Sequence, residues 1–398
     1  MSPHLSRRLP PHAQPNAITL RLEAIRAAGA TIIDLTESNP TLAGLRYPDD
    51  LLAPLSSPSA LTYAPEPLGL GSARAAVAAD CGRRGVAVDP ARVVLSASSS
   101  ESYSWLFKLL CNPGDHVLVP RPSYPLFEHL ARLEAVEVDT YALDYHGRWE
   151  VDLHSVERGI TAATRVVIAV SPNNPTGSYL SVAEADSLIA LTARYGVALV
   201  VDEVFVDYPL ERHPASATDV ACLAEGRSGA LVATLGGLSK SVGLPQLKLG
   251  WMVLGGDTSR VAEALAGLAF VADSYLSVST PVQVAAPALL GAGAPARRQI
   301  QARAAANLAM LRRAAGRHPA CDVLPVEGGW SAVVRVPATR TEEQFVLHLL
   351  EQEHVLVHPG YFFDFPREAY LVVSLLPQEN VFADAVERVL NAAAPTVP

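Results

Sequence analysis

The run Thr234-Leu-Gly-Gly-Leu-Ser-Lys-Ser-Val-Gly-Leu-Pro-Gln-Leu-Lys-Leu-Gly-Trp251 carries one lysine, Lys240, just past a β-type segment and a second, Lys248, eight residues later. A Leu-Val-Ala-Thr-Leu strand over 231–235 would deliver Lys240 to a small-residue turn, where an amine can face a cavity. A lysine held near other cations, or desolvated, loses its proton and forms a Schiff base with a carbonyl, and Lys248 offers such a neighbouring cation. On this stretch alone, two solvated loop lysines remain the slightly better reading.

Four further segments change the balance. Ser171-Pro-Asn-Asn-Pro-Thr-Gly177 follows the apolar run Val166–Val170, so its prolines and glycine shape a turn at the carboxyl end of a strand, with the Asn174 amide available there. Asp202 ends the run Val197-Ala-Leu-Val-Val-Asp and is either an N-cap or a partner for a cationic ligand group. Ser98-Ser99-Ser100 follows the strand Val93–Ser96 and opens a helix, where N–H groups and hydroxyls either cap the helix or cradle a dianion. Pro122-Ser-Tyr-Pro125 adds the aromatic ring of Tyr124, suited to stacking on a planar heterocycle. An amine for an aldehyde, a carboxylate for a pyridinium nitrogen and an amide for a phenolate are the needs of pyridoxal 5'-phosphate.

The elements that must position these groups follow α/β order. The continuously apolar runs Val93–Ser96, His116–Pro120, Val166–Val170, Ala198–Asp202, Leu231–Leu235 and Trp251–Leu254 read as strands covered on both faces, hence a mostly parallel central sheet. Helical stretches over Ser102–Cys111 and Val182–Tyr195 lie between them, and Gly-Ala-Gly-Ala-Pro (291–295) breaks the chain before a helix over Arg297–Arg317. The expected division is an N-terminal arm and part of a small domain over 1–45, a large cofactor-binding domain over 46–290 and a small C-terminal domain over 291–398. In that division the helix Ile18–Ala28 and a strand over 31–35 pack on the C-terminal part, giving a smaller α+β domain from both ends of the chain.

Composition removes other classes. With 398 residues, 49% hydrophobic, and a net charge of -9, the chain offers no basic footprint for nucleic acid or anionic membrane. Cys81, Cys111, Cys222 and Cys321 form no CxxC pair, which fits reduced thiols in a cytoplasmic protein. His354-Val-Leu-Val-His358 reads as one strand without the helical geometry of a zinc pair, so no metal is expected. Residues Met1–Asn16 read as an arm or disordered start, being neither signal peptide nor spanning helix. Gly69-Leu-Gly71 lacks the third glycine and the βαβ setting of a nicotinamide site.

The turn Asn-Asn-Pro-Thr-Gly, Asp202-Glu-Val-Phe205 after a strand, and Ser239-Lys240 with a cation eight residues on resemble, in order and spacing, the class I/II aminotransferases of the fold-type I pyridoxal-phosphate family. The resemblance implies that Lys240 forms the Schiff base and shuttles the substrate proton, Asp202 keeps the pyridine nitrogen protonated, Asn174 bonds the phenolate oxygen and Tyr124 stacks on the ring. It further implies a phosphate cup of Ser99, Ser100, Ser239 and Lys248, and a homodimer with shared sites in which Tyr63 reaches the neighbouring subunit's phosphate. The implied reaction exchanges an amino group between a donor and a 2-oxo acid. A lyase or decarboxylase on the same scaffold is the alternative. A regulator's effector module is disfavoured by the acidic charge and by the lack of a helix-turn-helix segment before the fold.

Four positions depart from the pattern. Phe205 stands where relatives carry a tyrosine donor to the phenolate, Lys248 where they carry arginine, and Gly237 where a phosphate-contacting serine is common. Val372 stands where the carboxylate-binding arginine is expected, which forfeits charge-assisted hydrogen bonds worth roughly 1.5–3 kcal/mol. Arg367 lies just upstream and reads as a solvated loop residue. Tyr275, Trp330, Tyr361 and Phe362 offer apolar walls for the pocket, although core packing explains most such aromatics.

Overall fold

The computed structural model describes residues 6–10 and 15–393; of the expected arm, residues 1–5 and 11–14 lie outside the described ones. A helix over Ala17–Ala27, capped by the Asn16 side chain on the Thr19 N–H, leads into strand β1 (Ile33–Asp34). Strands β2 (Val93–Ser96), β3 (His116–Arg121), β4 (Glu137–Tyr145), β5 (Trp149–Val151), β6 (Thr164–Val170), β7 (Ala198–Asp202), β8 (Leu231–Gly237) and β9 (Gly250–Gly256) build one sheet in the order β2-β9-β8-β7-β6-β3-β4-β5. Of the later strands β10 (Asp322–Val323), β11 (Ser331–Arg335), β12 (Val355–Leu356), β13 (His358–Pro359) and β14 (Tyr370–Ser374), all but β12 form an antiparallel sheet, while β12 pairs in parallel with β1.

The large sheet is mostly parallel and buried on both faces because its strands alternate apolar side chains. On β6, Val166, Ile168 and Val170 pack with the helices Ser99–Leu110 and Thr258–Tyr275, while Val167 and Ala169 pack into the core on the opposite face. β14 alternates likewise: Leu371 and Val373 face the C-terminal helices, and Val372 turns toward the large core. The helix Val182–Tyr195 begins in a capping box between Ser181 and Glu184 and ends at Gly196 in the left-handed region, φ 70°.

Some details differ from the expectation. Within the mostly parallel sheet β9 runs antiparallel to both β2 and β8, so the Lys240 segment is a return between antiparallel neighbours. β4 and β5 escaped the apolar-run criterion because β4 carries polar residues through Glu137-Val-Asp-Thr-Tyr-Ala-Leu-Asp-Tyr145. His354–His358 is not one strand: His354 caps a π-helical turn at φ 54°, and Val355 and His358 belong to different sheets. The helix after the serines starts at Ser99, earlier than Ser102, because Ser98 caps it. The Gly-Ala-Gly-Ala-Pro break is narrow: one helix ends at Ala292, the next runs Ala294–Ala315, and Pro287 sits inside the first.

Close packing has a measurable signature at Gly255 of β9, where an added Cβ would lie 1.7 Å from the Ala221 carbonyl oxygen. Gly255→Ala should lower stability by about 1–3 kcal/mol in urea unfolding. Gly291→Ala, in the helix Thr280–Ala292 with nothing within 4 Å, should be neutral or stabilising. Equal midpoints for the two variants would contradict this packing.

Candidate active site

Register brings the chemistry together. On β6 and β7, Val170 pairs with Asp202, and Asp202 pairs with Leu235 on β8. The chain leaves these strand ends into the Asn174 turn, the Phe205 turn and the four-residue helix Leu238–Ser241 that bears Lys240.

Lys240 is fixed through its backbone. The Tyr208 hydroxyl donates to the Lys240 carbonyl at 2.5 Å and to the Ser241 carbonyl at 3.2 Å, and Arg297 Nε donates to Ser241 O at 2.9 Å. Arg297 is itself buried and held by Asp80 at 3.3 Å and Asp207 at 3.7 Å. The Lys240 amine lies 4.9 Å from the ring centre of Trp330 and 5.3 Å from that of Phe205, and those rings meet edge to face at 5.3 Å. Burial lowers the amine from its ordinary value to about 8, with the Asp202 charge acting in the opposite direction. The neighbouring cation expected at Lys248 is not the cause; Lys248 is exposed, at φ 53°.

Asp202 is the acidic counterpart. Burial pushes it up to about 6, opposed by the Val204 N–H and the Tyr103 hydroxyl, each 3.1 Å from a carboxylate oxygen, and by Lys240. Tyr103 was not among the expected site residues: its place inside a helix, 1% exposed, reads as plain core, and its position four residues after Ser99 is the one signal toward the crevice. Glu203, the next residue, points the other way. It accepts the Asp219 and Val220 N–H groups at 2.9 Å each, and burial with the nearby Asp219 charge raises it.

The Asn-Asn turn divides its labour. Asn173 is buried and bonds the Pro122 carbonyl at 3.1 Å, Thr176 Oγ1 at 2.9 Å and Ser123 Oγ at 3.2 Å, locking the turn to the Tyr124 loop. Asn174 is half-buried; its Oδ1 accepts from Ser331 Oγ at 3.3 Å. Tyr124 is 47% exposed and borders a cavity of about 570 Å³ shared with Arg7, Arg8, Arg121 and Asp364, whose lining does not include Lys240, Phe205 or Trp330.

At the start of the helix Ser99–Leu110, Ser98 Oγ accepts the Glu101 N–H at 3.1 Å, while the N–H and hydroxyl groups of Ser99 and Ser100 have no partner among the described residues. Gly250 of β9 passes so close that a Cβ there would be 2.8 Å from the Ser98 carbonyl carbon. Ser239 is half-buried on the lysine helix. Gly237 has a close-packing reason: a Cβ would be 3.2 Å from Leu249 O, tight for any larger residue. Tyr63 is 68% exposed, and the described residues do not bring it to Lys240. Val372 is 2% exposed, paired across the sheet with Val333 and His358.

These groups fit a pyridoxal phosphate in kind: orphaned donors at a helix N-terminus for a dianion, a buried carboxylate for a ring nitrogen, and an amine of lowered basicity. Among the described residues no group of His, Cys, Asp and Glu is arranged to hold a metal ion, and no helix is long and apolar enough to cross a membrane.

Known proteins point the same way. The family model for Aminotransferase class I and II matches residues 31–388. The chain is 27% identical over 389 residues to the glutamate-pyruvate aminotransferase AlaA of Haemophilus influenzae, covering 93% of this chain and 91% of that protein. It is 27% identical to the alanine aminotransferase of Mycobacterium tuberculosis, over 92% of this chain and 86% of the other. In fold it resembles an aminotransferase from Escherichia coli, with a TM-score of 0.85 at 24% identity and 98% of both chains covered. The alanine aminotransferase from Pyrococcus furiosus gives 0.84 at 22% identity, covering 98% of both chains.

The lysine's displaced basicity has a stability consequence. Its folded value of about 8 lies below its ordinary 10.5, so between these pH values the unfolded chain binds more protons and stability rises with pH; below about 8 the full cost of burying the ammonium is present. Lys240→Met should therefore raise the apoprotein's Tm at pH 7, with the gain shrinking toward pH 10.5. A lower Tm for the variant at pH 7 would refute this sign.

Proposed function

The chain belongs to the class I and II aminotransferases, and from that premise we propose how its residues divide the work of a pyridoxal 5'-phosphate-dependent transaminase. Its substrates are an amino donor and, in our reading, a 2-oxo acid acceptor. The observation that supports the residue assignment best is the register that sets Asp202 beside Leu235 of β8, so that Asp202 and the Lys240 helix leave adjacent strand ends, with burial lowering the amine and raising the acid.

When bound, the cofactor supplies an electron sink for the negative charge left on the reacting carbon. Lys240 would anchor the aldehyde and, once displaced by substrate, would take the proton from the reacting carbon and return it two atoms away, to the carbon across the intervening nitrogen. An amine lowered to about 8 has roughly one molecule in ten unprotonated at pH 7, against far fewer for an ordinary lysine. Asp202 accepts from the ring nitrogen; a cation beside it favours its ionised form, reversing the effect of burial. Tyr103 and the Val204 N–H hold that carboxylate in place. Asn174 donates to the ring phenolate, alone where Phe205 lacks a hydroxyl. Ser99, Ser100 and Ser239 grip the phosphate with neutral donors and Lys248 with a point charge in place of a fork. Tyr124 would stack on the ring if its exposed loop turns toward the crevice, which is the role the resemblance implies for it.

The assembly we propose is a cytoplasmic homodimer with shared sites, each chain divided at about residues 45 and 290 as the sequence suggests. What supports the dimer is an apolar surface: Leu61 is 90% exposed, Tyr63, Tyr275 and Leu276 are also exposed, and Tyr63 and Leu276 line one shallow depression. A partner covering it would carry Tyr63 toward the neighbouring phosphate.

Two measurements check this reading. Purified enzyme should show the visible absorbance of lysine-bound cofactor, which borohydride fixes on Lys240 by peptide mapping and which Lys240→Ala abolishes; an unchanged band in that variant would falsify the assignment. In sedimentation, Leu61→Asp should shift the enzyme toward monomer and weaken cofactor retention together. A wild-type monomer that keeps its cofactor would exclude the shared site.

A further inference from the structure

Tyr103 lies buried in the helix Ser99–Leu110, its ring held by Phe107 at 6.1 Å and edge to face by Phe127 at 5.4 Å. Phenylalanine would fill that space equally well, and a buried hydroxyl is costly unless it is bonded. Among the described residues this hydroxyl makes one bond, to Asp202 Oδ2 at the end of β7, at 3.1 Å. The other carboxylate oxygen, Oδ1, accepts the Val204 N–H at 3.1 Å. Each oxygen thus has one donor from the protein and lone pairs left for a ligand.

Its place in the helix matters as well. Ser99 and Ser100, whose donors have no partner among the described residues, lie four and three residues before Tyr103, so the three share one face within a turn that rises about 6 Å. The helix is pinned there: Ser102 Oγ bonds Ser96 Oγ of β2 at 2.7 Å, and Glu101 Oε2 accepts the Ala97 N–H at 2.6 Å and Ser277 Oγ at 2.8 Å. Phe127 belongs to the helix Leu126–Leu133, which follows Tyr124. One phenol therefore bonds the acid, stands one turn from the phosphate donors and packs on the helix after the stacking residue. The titratable groups facing the pair are Lys240, whose charge acts on Asp202, and Tyr141, whose hydroxyl is spent on the Ile168 carbonyl at 2.9 Å.

Holding the carboxylate still is one consequence of the Tyr103 bond, and its charge is the other. An ionised carboxylate accepts the phenolic hydrogen strongly and a neutral acid only weakly, so the bond favours the ionised form. Burial pushes the phenol well above the ordinary tyrosine range, so it keeps its proton and stays a donor. We propose that Tyr103 is a positioning residue that sets the proton on the cofactor: by donating to Asp202 Oδ2 it holds that acid ionised, and the ionised acid holds the ring nitrogen protonated, on the reading that Asp202 is the acid meeting that nitrogen.

Tyr103→Phe keeps the ring and removes the hydroxyl. In apoprotein carrying isotope-labelled aspartate, the Asp202 carboxyl resonance, identified by its loss in Asp202→Asn, should titrate about one to two pH units higher in the phenylalanine variant. In holoenzyme reconstituted with cofactor labelled at the ring nitrogen, that nitrogen should lose its proton at lower pH in the variant than in wild type, and kcat should fall with the donor KM unchanged. Replacing Tyr103 by 3-fluorotyrosine, a stronger donor of nearly the same shape, should move the Asp202 titration downward, and this decides the matter if the phenylalanine variant folds poorly. An Asp202 midpoint unmoved by loss of the hydroxyl, or raised by fluorination, overturns the proposal. So does a ring nitrogen whose deprotonation ignores a raised midpoint. Asp202→Asn without effect on the ring nitrogen would instead strike the assignment of Asp202.

Discussion

Everything at this site depends on keeping one amine dry. An ammonium in water holds its proton far too tightly to work near neutrality, and the means available to a fold are to remove water or to add positive charge. This protein removes water. Phe205 and Trp330 close on the Lys240 amine, and the sheet behind them is apolar on both faces, so the environment disfavours the charged form outright. The Asp202 charge pulls the other way, and its own burial is tempered by Tyr103 and the Val204 N–H. Acid and base are displaced toward one another from opposite ends of the scale, the pattern expected where proton transfer is the task.

Dryness alone would let the lysine wander, and the fold prevents this from outside the crevice. Tyr208 and Arg297 hold the carbonyls of Lys240 and Ser241, and Arg297 belongs to a buried network with Asp80 and Asp207 that also engages Arg83 and Arg84. Such networks contribute little net stability, because desolvating the ions offsets their attraction. What this one adds is geometry. It ties the helix Gly71–Gly82, the turn after β7 and the helix Ala294–Ala315 to the one segment whose position the chemistry requires.

Much of this was legible in the chain. The buried parallel strands announced themselves as unbroken apolar runs, and the candidate site residues Asp202 and Lys240 as polar residues placed at or just past the ends of such runs. What escaped had physical reasons. β4 mixes polar with apolar residues, so its sequence does not advertise a strand. The direction of β9 could not be read, because a strand buried on both faces looks the same whichever way it runs. Tyr103 looked like core, since a large aromatic fills space in the same way whether or not its polar atom has a use. Lys248 was credited with an effect that burial produces, because spacing along the chain says nothing about distance across a turn.

Asp202 and Glu203 are adjacent carboxylic acids, and the alternation of side chains across an extended backbone sends one into the crevice and the other to the Asp219 and Val220 N–H groups on the far side. Their chemistry is nearly interchangeable, so which of them acts is not written in residue type. It is written in parity. Inserting or deleting a single residue within β7 would exchange the two roles without altering composition, placing a longer acid in the crevice and a shorter one against the turn. The pair makes the length of β7, counted as odd or even, part of what decides which acid the candidate site receives.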